Sequence, residues 1–173
     1  MRRNFLKALA AAAFAALAGC GPFWVDPYIA VTESPLNWVE IHYYDLKAKP
    51  VRRVAVYLSG TGLVEIRKGA SQRVSNDFAA ETADRAWNDY RTQKLHVDPA
   101  HLNDLFQNLV NYGLLDYEKT GRAAKEPSPD RFLAVRANLS NTTYTDQVNI
   151  LEADPDLAEQ LLDVVREFDH PGL

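Results

Sequence analysis

His96, Asp98 and His101 form the one cluster in this chain with the side-chain types for a metal site. Two imidazoles and a carboxylate at this spacing could hold a divalent ion, which would make the protein a metal-dependent hydrolase. Asp98, however, stands directly before Pro99 and is already explained as a helix cap whose oxygen accepts backbone donors. His101 then falls in the first helical turn and His96 before it, so nothing aims the two rings at one point. No metal ligand and no other cofactor is expected. Four acidic residues, Glu81, Asp84, Asp116 and Glu118, are available for acid–base work, but their spacing puts no two of them in one pocket. Neither Gly-x-Ser-x-Gly nor His-Glu-x-x-His occurs, and Ser59-Gly60-Thr61-Gly62 opens no helix that could cradle a phosphate. No catalytic residue emerges, and the chain is not expected to be an enzyme.

Recognition has two candidate surfaces. Trp38, His42 and Tyr44 lie on the polar side of a predicted strand, where aromatic rings could form a contact patch. The reading favoured over that patch is that another element covers them or that both faces of the strand are buried. His42 itself is expected to be exposed. The second surface is a charged loop with Lys119, Arg122 and Lys125, followed by Arg131, a basic cluster that could dock an acidic partner.

Composition bounds these options. The chain has 173 residues, 47% hydrophobic and 24% charged, with 8 Gly and 9 Pro, so disorder and collagen-like repeats are excluded. One Cys can close no internal disulfide and build no Cys-rich metal site. The formal net charge of −4 argues against a nucleic-acid partner.

Arg2, Arg3 and Lys7 open the chain without an acid, and an uninterrupted apolar run, Ala8 to Ala18, leads to Leu17-Ala18-Gly19-Cys20. The run is too short to cross about 30 Å of hydrocarbon, and fits a secretory signal. Leu-Ala-Gly-Cys resembles the lipobox of bacterial lipoproteins. That resemblance implies cleavage after Gly19, a diacylglycerol on the Cys20 thiol and an acyl group such as palmitate on the new amine, since a single acyl chain anchors only weakly. Arg2-Arg3-Asn4-Phe5-Leu6-Lys7 resembles the twin-arginine export motif, departing from it at Met1, where Ser or Thr is usual; a general-secretion signal is the alternative. With Gly21 rather than Asp after the Cys, the enteric sorting rule implies outer-membrane delivery, the domain facing the periplasm. Without its leader the chain carries 16 basic against 23 acidic side chains, a formal charge of −7, so attachment must come from the lipid.

Residues 1–19 are thus expected to be the signal peptide, 20–37 the lipidated Cys and a proline-rich tether, and 38–173 one globular domain. In the tether, Phe23 and Trp24 could either sit at the headgroup layer or pack on the domain. Val39, Ile41 and Tyr43 alternate with polar residues, as do Val54, Val56 and Leu58, then Val64 and Ile66, which predicts strands and, across Ser59–Gly62, a hairpin. Phe78, Ala79, Ala83, Ala86, Trp87 and Tyr90 could line a helix in an otherwise ambiguous stretch, 71–96. Asp98-Pro99 and Asp154-Pro155 each start a helix. Leu102, Leu105, Phe106, Leu109 and Val110 face inward from one, and Leu157, Leu161, Val164, Val165 and Phe168 from the other. Between them, Phe132 to Leu139 reads as a strand with Leu133, Val135, Ala137 and Leu139 on one face, Ser140 to Thr143 turns, and Val148 and Ile150 mark a further strand. The order strand, strand, helix occurs twice. It predicts an α+β domain with an antiparallel sheet of about four to five strands covered by two amphipathic helices. This layout resembles that of small uncharacterised bacterial lipoprotein domains.

The resulting expectation is a lipid-anchored envelope protein in a non-enzymatic binding or structural role. Its partners would be the membrane, through Cys20, and another envelope protein. An inhibitor or immunity-type lipoprotein is the alternative.

Overall fold

The computed structural model of the chain describes residues 29–71, 87–116, 130–145 and 150–169. Six strands form one antiparallel sheet: β1 (Trp38–Asp45), β2 (Val51–Ser59), β3 (Leu63–Ser71), β4 (Trp87–His96), β5 (Arg131–Leu139) and β6 (Thr142–Thr145). Their spatial order is β4-β3-β2-β1-β5-β6, so β1 lies in the interior and pairs with β2 on one side and β5 on the other. Three helices accompany it among the described residues: α1 (Pro99–Asn111), the single turn α2 (Ile150–Ala153) and α3 (Pro155–Phe168).

Alternation decides which face the helices cover. Val39 and Ile41 of β1, Val54, Val56 and Leu58 of β2, Val64 and Ile66 of β3, and Leu133, Val135, Ala137 and Leu139 of β5 share one face and are buried. Against them pack Leu102, Phe106 and Leu109 of α1 and Leu157, Leu161, Val164, Val165 and Phe168 of α3. Each such side chain fully withdrawn from water contributes roughly 1.5–3 kcal/mol, so this layer is what stabilises the domain.

The two long helices start as their sequences dictate. The Asp98 carboxylate accepts from the Ala100 N–H at 3.0 Å, and that of Asp154 accepts from the Leu157 N–H at 3.2 Å, with Pro next in each case. Gly113, at φ 105°, ends α1 in a conformation open to glycine, and the Leu114 N–H reaches back to the Leu109 carbonyl at 3.0 Å. The β2–β3 hairpin forms at Ser59–Gly62, as its turn residues predict. Gly60 is required there for a second reason: a Cβ would stand 2.0 Å from the Ser34 carbonyl oxygen.

Three expectations are corrected. The sheet has six strands rather than four to five, because β4 precedes α1; among the described residues the first of the two anticipated units therefore has three strands before its helix. Trp87 and Tyr90 belong to that strand and not to a helix. β4 pairs residue by residue with β3 through its backbone, and a strand held that way at the border of the sheet needs no apolar alternation to betray it. Phe78, Ala79, Ala83 and Ala86 lie outside the described residues. Ile150 is helical, in α2, and not in a strand. The β5–β6 turn is made by Ser140 and Asn141 alone, both at positive φ, so β6 begins at once at Thr142.

Candidate functional site

The sheet face turned away from the helices is built in rows by strand register. Across β2, β1 and β5, Tyr57 stands beside Glu40 and Glu40 beside Arg136; in the next row His42 stands between Ala55 and Ala134; in the next, Tyr44 stands between Arg53 and Phe132. The first row continues outward through Glu65 of β3 to Lys94 of β4, and the second through Arg67 to Thr92.

The two alanines beside His42 leave its ring room to lie between charged neighbours. Its Nδ1 receives the Arg53 guanidinium at 3.0 Å, and its Nε2 lies 2.8 Å from Glu40 Oε1. Arginine can only donate, so Nδ1 must accept, and the proton of the neutral ring resides on Nε2 and is donated to Glu40. Burial, opposed by Glu40 but reinforced by the charges of Arg53 and Arg136, lowers the His42 pKa and keeps the ring in that form. The second Glu40 oxygen accepts from Arg136 Nε at 2.7 Å. Burial alone would raise the Glu40 pKa. The hydrogen bond from His42, together with the charge and hydrogen bond of Arg136, outweighs it and holds the carboxyl below its ordinary range. The chain Arg53–His42–Glu40–Arg136 thus runs as a directed series of donors and acceptors across three strands.

Beside it lies a cavity of about 290 Å³, lined by Glu40, Ala55, Tyr57, Glu65, Arg67 and Arg136. Glu65 accepts from Arg67 Nε at 2.7 Å and pairs with Lys94 at 3.2 Å. Although burial pushes its pKa upward, these hydrogen bonds and charges hold the net shift below the ordinary value. The Tyr57 hydroxyl is shifted up, by burial first and then by the Glu40 charge. Trp38 stacks on Tyr57 with ring centroids 6.2 Å apart, and the Arg136 guanidinium lies 5.5 Å from the Trp38 ring centroid. Arg53 stacks in the same manner on Tyr44, at 5.1 Å. The result is a concave polar site with an aromatic wall, its Glu–Arg pairs preset by register.

Of the residues singled out from sequence, Trp38, His42 and Tyr44 are brought onto this face. His42 is not exposed as expected: both it and Tyr44 are buried, because β1 is an interior strand and the side chains of β2 and β5 flank them on both sides. Trp38 is half-buried. His96, Asp98 and His101 are not assembled into a site. All three are exposed, Asp98 caps α1, and His101 instead approaches Glu167 of α3, its Nε2 3.7 Å from Oε1. Among the described residues no group of three or more His, Cys, Asp or Glu is placed to hold a metal ion.

Lys119, Arg122, Lys125, Glu81, Asp84 and Glu118 lie outside the described residues, as does Cys20; Arg131 opens β5. Among the described residues no helix is long and apolar enough to cross a membrane. Glu40, Arg53, Tyr57, Glu65, Arg67 and Arg136 were not legible as site residues. The available signal was a charge at alternate positions within otherwise apolar strands, as in Val39-Glu40-Ile41 or Val135-Arg136-Ala137, which fixes a face but names no partner. No model of a known protein family matches the chain, and comparison with curated proteins finds no match.

Proposed function

We propose that this chain is a lipid-anchored bacterial envelope protein. Cys20 is its membrane anchor, and its domain is a non-enzymatic binding module for another envelope protein in the periplasm. The recognition surface is the sheet face away from the helices. The observation that supports this reading is the preset row Tyr57–Glu40–Arg136, walled by Trp38. Arg and aromatic side chains held rigidly beside a cavity are the groups that yield most binding energy at protein interfaces, because little of their freedom remains to be lost. Holding Arg136 by a buried carboxylate, itself oriented by His42, is an expense in desolvation that a core serving stability alone would not need.

Crosslinking in cells followed by pull-down of the anchored protein tests the reading, with Cys20→Ser as the unanchored control and Trp38→Ala as the surface variant. One stoichiometric partner, lost with either substitution, is the expected result. A partner retained by a stably folded Trp38→Ala protein would remove the sheet face as the binding surface. A Cys20→Ser protein that remains in the membrane fraction with unchanged mobility would remove the anchor.

A further inference from the structure

Among the residues whose burial is described, the large apolar side chains left exposed are Ile29, Leu36 and Tyr112. All three lie on or beside one segment. Ile29 and Leu36 belong to residues 29–37, an extended strap that leads into β1. Tyr112 caps α1 next to Asn111, and the Gln107 side-chain amide donates both to Asn111 Oδ1 and to the Ile29 carbonyl.

The strap is fastened to the domain along its length. The Val31 N–H donates to Gln107 Oε1 at 2.7 Å and the Thr32 N–H to Ser140 Oγ at 3.0 Å. The Asn37 side chain donates to the Thr32 carbonyl and accepts from the Ser140 N–H, while Asn138 donates to the Leu36 carbonyl. Polar backbone is therefore turned inward and satisfied, whereas the Leu36 side chain keeps 65% of its surface open to solvent. Isolated exposed apolar residues are ordinary; their confinement to one segment is not.

The position of that segment in the chain identifies what it meets. Ile29 lies nine positions after Cys20, a span of at most about 30 Å at full extension. Resting on the lipid-anchor reading above, the strap is then the part of the domain nearest the bilayer. The other end of β1, at Asp45, lies about 25 Å farther along the strand. We infer that the strap end of the domain is a bilayer-contact surface, with Ile29, Leu36 and Tyr112 entering the interfacial layer of the membrane that holds Cys20. The occupant is lipid rather than a protein, because the chain ahead of the strap ends in lipid. The contact is apolar and not electrostatic: the strap's own charged residue is Glu33, and the mature chain is acidic, so anionic headgroups do not strengthen it. A tyrosine at the border of the patch suits the headgroup level.

The lone cysteine makes the test direct. Full-length protein purified from membranes has its Cys20 thiol consumed by lipid, so Ile29→Cys, Leu36→Cys and Lys47→Cys each introduce one reactive thiol for a fluorescent label. Lys47 is the exposed control beyond Asp45. In phosphatidylcholine vesicles with a quencher on the acyl chains, the labels at 29 and 36 are expected to be quenched about threefold more than the label at 47, unaffected by salt or by added anionic lipid. Equal quenching at the three positions in vesicle-bound protein overturns the inference and leaves the anchor intact. Protein that stays off the vesicles and takes label at Cys20 itself overturns the anchor, and the inference with it.

Discussion

Both faces of the sheet bury side chains, but by opposite means. The face under α1 and α3 is closed by an apolar layer, from Val39 and Ile41 to Leu161 and Phe168. The other face buries Glu40, His42 and Arg53 together with Tyr44. Apolar burial is non-directional and tolerates exchange within a volume, whereas buried charge is tolerated only while each donor meets its acceptor. One face of the sheet therefore supplies stability, and the other holds side chains in a stated geometry.

The largest expected effect tests that contrast. Removing the carboxylate by Glu40→Ala leaves the His42 N–H without its acceptor and takes the counter-charge from Arg136, at a cost of about 4 kcal/mol. Leu161→Ala on the apolar face is expected to cost about 3 kcal/mol. Urea unfolding of the two variants orders them. If Glu40→Ala is the milder, the polar face is not the demanding one. Gly60→Ala comes next, at about 2 kcal/mol, because its new methyl group must displace the Ser34 backbone. Here the strap rather than the sheet is expected to yield first, which limited proteolysis can locate within residues 29–37.

Acid is expected to act on the polar face. His42 in the folded protein is protonated less readily than its ordinary value of 6.5. The unfolded chain therefore takes up that proton first, and stability falls as pH drops below about 6.5. Glu40 and Glu65 are also held below their ordinary 4.5, so their contribution, full above that value, is lost as pH falls further. His42→Gln is expected to flatten the loss between about pH 6.5 and 5, leaving the lower part in place. An unchanged profile would show that His42 is not the group responsible. The smallest effect belongs to the helices: Asp154→Ala, which deprives the Leu157 N–H of its cap, is expected to lower stability by about 1 kcal/mol in thermal unfolding.

How far the sequence could be read follows the same division. Where a residue's role depends on near neighbours, it was legible. Asp98-Pro99 and Asp154-Pro155 start helices because a cap and a fixed φ act within one turn. Ser59–Gly62 makes a hairpin, and one face of β1, β2 and β5 is apolar at period two. β4 escaped because its backbone pairing leaves no apolar pattern, and β6 was displaced because a two-residue turn, Ser140-Asn141, brings it forward.

What the amino-acid sequence determined by itself was the local matter: two capped amphipathic helices, and strands whose apolar face needed a cover. Only the tertiary structure decided what the opposite face became. Glu40 and Arg136 meet across 96 positions of sequence, and the strap at Val31 meets Gln107 across 76. The period of a strand says on which side a charge stands, but its partner is chosen by register between strands distant in the chain. That register is set by the apolar face, which a one-residue slip would turn outward.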